Sequence, residues 1–212
     1  MSNNKIYLAV EFTVLFILLP VIPFLELFPM PKIPALIAMT LFCLFVLLAD
    51  KSFDRKILWN PKVFKQFVKK ILIRFVPAAV ALTALTFIIR PENIFIFPRE
   101  RILIWAMVMV LYPILSAYPQ ELVYRTFLFH RYRKLFTSEN VKIAISALSF
   151  SFLHIIFDNY VAVILSLIGG YLFTITYRKS NSLFTAAFEH AVYGCFVFTV
   201  GLGNYFYEGR PG

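Results

Sequence analysis

Six polar side chains stand where the surrounding sequence is apolar. They are Gln120, Glu121 and Arg125 after Pro119, His154 at the end of one hydrophobic run, and Glu189 with His190 inside another. Ionisable groups at membrane depth are costly to bury, which makes them the first candidates for function. A carboxylate and two imidazoles converging in a low-dielectric cavity suit hydrolysis of an amide. A carboxylate or histidine draws a proton from water, and a second histidine stabilises the oxyanion formed when that water attacks the carbonyl. Glu121, His154 and His190 are equally a set that can hold a zinc ion to activate the water. The sequence does not separate the two mechanisms.

Spacing supports the convergence. Glu121 lies 17 residues before Ser138 and His154 lies 16 after it. In an antiparallel helix pair that turns near Ser138 the two sit at nearly the same height and are expected to face each other. Glu121 and Arg125 are four apart, so they share a helix face and suit an ion pair that fixes the carboxylate. Asp158, four beyond His154, is placed either to orient the imidazole or at the water boundary. Glu11 is expected near the headgroups with no chemistry, and His130, in HRYRK, on a solvated face.

The elements that must position these residues are transmembrane helices. Of the 212 residues, 60% are apolar and 15% charged, and the mean hydropathy is +0.78, too apolar for a water-soluble domain. Hydrophobic runs cover about Ile6 to Phe28, Ile33 to Leu48, Ile71 to Ile89, Ile102 to Tyr118, Ile143 to Phe157, Val161 to Tyr177 and Leu183 to Tyr205. None alternates like a barrel strand, so the expected fold is all-α, a polytopic transmembrane bundle of seven to eight spans. The first run has no small-residue cleavage site and is expected to remain in the mature chain, kinked at Pro20 and Pro23. Ile102 to Phe136 is about 52 Å as one straight helix, too long for one crossing. Either Pro119 breaks it, giving a re-entrant arm or an eighth crossing, or a long helix projects beyond the bilayer. The organisation expected is N-terminal transmembrane helices over 1–100, the site-bearing core over 101–205 and a short tail over 206–212, all within one membrane domain.

Charge sets the expected orientation. Lys51, Arg55, Lys56, Lys62, Lys65, Lys69 and Lys70 crowd one loop, and positive loops stay in the cytoplasm, which places the N-terminus inside and Glu208 and Arg210 outside. The formal net charge of +10 is spread over loops flanking apolar spans, so the expected partner is anionic membrane lipid, with no nucleic acid. Cys43 and Cys195 lie within apolar runs and imply no disulfide. There is no phosphate-binding glycine loop and no paired CxxC. Transport, with Glu121 and the histidines carrying protons, is the competing class, but the chain shows no inverted repeat.

The residues QELVYR at Gln120 to Arg125, FSFLH at Phe150 to His154, and His190 in SLFTAAFEHAVYG resemble the motifs of the CPBP family of intramembrane proteases. That family includes the CAAX prenyl endopeptidases and bacterial relatives linked to bacteriocin self-immunity. The resemblance runs over about Ile102 to Val200. It implies a membrane endopeptidase, metal-dependent through zinc if the family's metal chemistry holds, acting on a membrane-bound peptide or protein. A bacterial plasma-membrane location fits such a relative. By this resemblance Glu121 matches the second glutamate, Arg125 the arginine, and Phe150, His154 and His190 their counterparts. Gln120 stands where the family's first glutamate acts as base, and an amide takes no proton at neutral pH. Gly194 stands where an asparagine usually helps to bind the oxyanion. Three outcomes follow. Glu121 turns into the cavity as base, or His154 is the base while Gln120 positions the water, or catalysis is lost and the fold serves as a membrane binding or chaperone module.

Overall fold

The computed structural model describes residues 4–28 and 31–207, so the orientation reading at Glu208 and Arg210 and most of the tail at 206–212 lie outside the described residues. Seven helices are long and apolar enough to cross a membrane, and among the described residues there is no strand. They are α1 (Lys5–Phe24), α2 (Lys32–Ala49), α3 (Pro61–Ile89), α4 (Ile102–Arg131), α5 (Glu139–Phe157), α6 (Tyr160–Ser180) and α7 (Leu183–Val200). The protein is an all-α polytopic transmembrane bundle. Its outer surface carries Phe45, Ile88 and Leu103 at 70%, 76% and 78% exposure. Side chains of that size and exposure call for lipid rather than water around them.

Local sequence sets the helix boundaries. Asp158 in the left-handed region and Asn159, whose side-chain Oδ1 accepts from the Ala162 amide, turn the chain from α5 into α6. Asn181, also left-handed, ends α6, and the Ser182 hydroxyl accepts from the Thr185 amide to start α7. Each N-cap is worth about 1 kcal/mol. These two-residue turns force α5, α6 and α7 into an antiparallel sheaf, with α5 packed along α6 and α7 packed against α3, α4 and α6.

α4 settles the long-segment question. Pro119 neither breaks the helix nor begins an eighth crossing; the chain stays helical through Arg131 and turns back near Ser138 at the same end. Proline removes one N–H and clashes with the preceding turn. α4 absorbs this by widening to π-helix at Pro113–Ala117 and again at Leu122–Phe127, as helices do where their hydrogen-bond ladder is interrupted. The Met109 carbonyl, left without its usual partner by Pro113, lies 3.9 Å from the Cys195 Sγ on α7. In α1 a π-turn at Val14–Leu18 precedes Pro20 and Pro23 in the same way.

Two polar residues of the N-terminal half have partners that hydropathy does not show. Glu11 has a defined set of partners: Arg131 clamps both its oxygens at 2.7 and 2.8 Å, and Tyr132 donates at 3.1 Å. This pins α1 to the end of α4. His130 is not simply solvated, because its Nε2 lies 2.9 Å from Asp50. The Ser52 hydroxyl and amide, with His130, hold the Asp50 carboxyl well below the usual carboxylate range. The contribution of this cluster to stability is therefore present at neutral pH and lost only as pH falls through that lowered value. Arg131→Met should lower stability by about 2 kcal/mol, the scale of hydrogen bonds to a charged group. Thermal unfolding in detergent checks this, and Glu11→Gln combined with Arg131→Met should recover part of the loss.

Candidate active site

A chain of polar contacts runs across the bundle from α6 to α4. On the inner face of α4, Arg125 is fully buried; its Nη2 donates to the Gly170 carbonyl of α6 at 3.0 Å. That carbonyl is within reach because Gly170 lets α6 approach α5 closely: a Cβ there would lie 3.0 Å from the Phe150 ring and 3.3 Å from the Ala147 carbonyl. The guanidinium also sits 4.4 Å from the centre of the Phe150 ring, a cation–π contact strengthened by desolvation. Arg125 Nε lies 3.0 Å from Glu121 Oε2, an ion pair whose angles fall outside hydrogen-bond geometry. The other Glu121 oxygen accepts from Nδ1–H of His190, on α7, at 2.9 Å. Beyond it, His190 Nε2 is 2.9 Å from the Tyr112 hydroxyl of α4. Phe173 stacks on the His190 ring at 4.7 Å and 15°. The imidazole is thus fixed at both nitrogens and on one face.

His154 is held separately. It sits where α5 tightens into a 3-10 turn, His154–Phe157, and its Nδ1 donates to the Phe150 carbonyl at 2.8 Å. A carbonyl only accepts, so the Nδ1 hydrogen is committed there and Nε2 is the basic nitrogen of the neutral ring. Phe150, between the two histidines, has ring centres 4.9 Å from His154 and 5.4 Å from His190. Phe206, at the start of the tail, closes over His154 at 5.7 Å.

These groups meet at a cavity of about 740 Å³ lined from all seven helices. Tyr112, Ser116, Gln120, His154 and His190 line it, together with Tyr124, Ser166 and Tyr193, and its walls reach Lys32 and Tyr207 at one end of the bundle. The rest of its lining is mainly aliphatic and aromatic, as in sites that admit an apolar ligand and fix it with a few polar groups. Gln120 Nε2 donates to the Ser116 hydroxyl at 2.7 Å, while its buried Oε1 has no hydrogen-bond partner in the protein.

The structure therefore brings Gln120, Glu121, Arg125, His154 and His190 together, but with different neighbours from those expected. Glu121 does not face His154. It meets His190, because the π-widened α4 packs its inner face against α7, and it sits behind the cavity wall at 0% exposure. The imidazole of His154 is oriented by Phe150 rather than through a carboxylate four residues on. Glu189 points away from the cluster to Arg74 of α3, 2.9 Å distant, which also donates to Thr176. Sequence reading missed Arg74, although a charge inside the run KKILIRF was visible. It also missed Tyr112, which an apolar run conceals.

Zinc does not fit this donor set. Glu121 is sealed between Arg125 and His190, and His190 Nε2 is taken up by the Tyr112 hydroxyl, so of the three side chains only His154 Nε2 presents a free donor to the cavity. Among the described residues no group of three or more His, Cys, Asp or Glu side chains is arranged to hold a metal ion.

Residues 100–196, from the start of α4 into α7, match the family model described as type II CAAX prenyl endopeptidase Rce1-like. No curated protein and no solved structure matches the chain.

Proposed function

We propose, on the premise that residues 100–196 are a segment of the Rce1-like protease family, that the protein is an endopeptidase. It hydrolyses a peptide bond of a membrane-bound peptide or protein within or next to the bilayer. The observation that carries this reading is His154, whose Nδ1–H is spent on Phe150 and whose ring lines the same cavity as Gln120 and His190. That leaves a neutral base at the wall of an apolar chamber.

In this mechanism the Gln120 carboxamide holds the water, and His154 Nε2 takes its proton as the oxygen attacks the carbonyl carbon. The same proton then passes to the leaving amine. Glu121 and Arg125 touch no substrate; they position His190. Apolar walls exclude bulk water, which strengthens each polar interaction inside. The core over 101–205 supplies the polar groups, and α1, α2 and α3 complete the chamber wall. With the basic loops in the cytoplasm and the N-terminus with them, the Lys32 and Tyr207 end faces outward and the lysines around the start of α3 meet anionic lipid.

The test compares membrane-peptide termini by mass spectrometry in cells expressing wild type, His154→Ala and Gln120→Glu at matched levels. Wild type should yield new termini that vanish in His154→Ala. Gln120→Glu places a carboxylate base on the cavity wall and should raise their yield about tenfold or more. Termini in Gln120→Glu but not in wild type would instead mark a binding module whose catalysis has lapsed. No termini in any variant would sink the protease reading.

A further inference from the structure

His190 is well placed to polarise a substrate carbonyl, yet it has no hydrogen directed at the cavity. Nδ1–H is donated to Glu121, and Nε2 faces the Tyr112 hydroxyl. With the ring neutral, Nε2 accepts from the phenol; with the ring protonated, Nε2 donates to the phenol oxygen and the phenolic hydrogen is released. In both states the phenol takes up the Nε2 position of His190, and Tyr112 and the His190 ring both line the cavity.

The phenol occupies this position because residue 194 has no side chain. A Cβ on Gly194 would lie 2.3 Å from both the Tyr112 hydroxyl and its Cε1, so any other residue there would displace the ring. Edge-to-face contacts with His190 at 5.9 Å and Phe198 at 5.4 Å fix the ring plane. Only the hydroxyl hydrogen remains free to turn. This is a preorganised donor held by a rigid chain, Arg125 to Glu121 to His190 to Tyr112, and open to the cavity at its last member.

We infer that the Tyr112 hydroxyl is the catalytic donor that binds the oxyanion of the tetrahedral intermediate, with His190 as its positioning residue. The inference rests on the protease reading above. When water attacks, a C–O bond forms and the carbonyl π electrons move onto oxygen, which accepts the Tyr112 O–H without proton transfer. When the C–N bond breaks, the carbonyl re-forms, the nitrogen takes the proton carried by His154, and the phenol returns to His190.

The test uses the purified full chain in lipid vesicles and a peptide spanning the junction cut by wild type. Tyr112→Phe keeps the ring against Gly194 and removes the hydroxyl. It should lower kcat about 10²–10³-fold, the loss seen when one oxyanion donor is removed, with KM within about threefold of wild type. A purely packing role would not produce that split. A wild-type kcat in Tyr112→Phe overturns the inference while leaving the protease reading intact, whereas a wild type that cuts nothing overturns both. If Tyr112→Phe fails to fold, Tyr112→Ala combined with Gly194→Asn decides. Its amide should restore cleavage at least about tenfold over Tyr112→Ala alone, and no recovery overturns the inference.

Discussion

His154→Ala should abolish detectable peptide-bond hydrolysis, a loss of about 10²–10⁴-fold, the range general-base catalysis contributes. The size of the effect follows from what else the cavity offers as a base. Gln120 is an amide, and Glu121 is sealed behind the wall between Arg125 and His190. His190 has Nδ1 on a carboxylate and Nε2 on a phenol. Among the described residues no second group of the cluster stands ready to take the proton. The fold should survive the change, because His154 sits in the terminal turn of α5 and its side chain hydrogen-bonds to its own helix. Single-turnover cleavage by purified His154→Ala and wild type, with matched thermal unfolding, checks both halves.

The largest effect on stability should come from Arg125→Met. The guanidinium and the Glu121 carboxylate are both at 0% side-chain exposure, and removing one partner leaves the other charged and buried. Such changes cost about 3–5 kcal/mol, or roughly 10 °C in Tm for a chain of this size. Methionine keeps most of the volume between Phe150 and Phe173, so the loss reads the charge and not a cavity. Neutralising the stranded carboxylate by adding Glu121→Gln should recover a substantial part. That non-additivity identifies the pair as one unit. Thermal unfolding of the four proteins in detergent measures it. The double variant, even if stable, should cleave poorly, since His190 loses the carboxylate that fixes its tautomer.

The helices were legible because the bilayer imposes a length and a composition on each, and their ends because Asn159, Asn181 and Ser182 are residues that cap or turn. The polar cluster was legible for the same reason in reverse: Gln120, Glu121, His154 and His190 interrupt apolar runs. The pairing within the cluster was not. Matching Glu121 to His154 by height assumes regular helices and gives no weight to α7, which packs against α4 in this region; two π-widened turns, responses to prolines, also alter which side chains face α7. Gly194 illustrates the other limit. Read along the chain it is a missing donor, while in three dimensions it is the space that admits Tyr112. Glu11 and Arg131 were each visible, but 120 residues apart nothing in the sequence couples them.

In the proposed reaction water, activated by His154, is added across a peptide bond inside this cavity. The most direct measurement reconstitutes purified protein in vesicles with solubilised membrane peptides in ¹⁸O-labelled water and reads the new C-terminal carboxyls by mass spectrometry. Wild type should give one ¹⁸O in each new carboxyl, and His154→Ala should give no new carboxyls. New termini that form equally with His154→Ala, or carboxyls that carry no label, would contradict it.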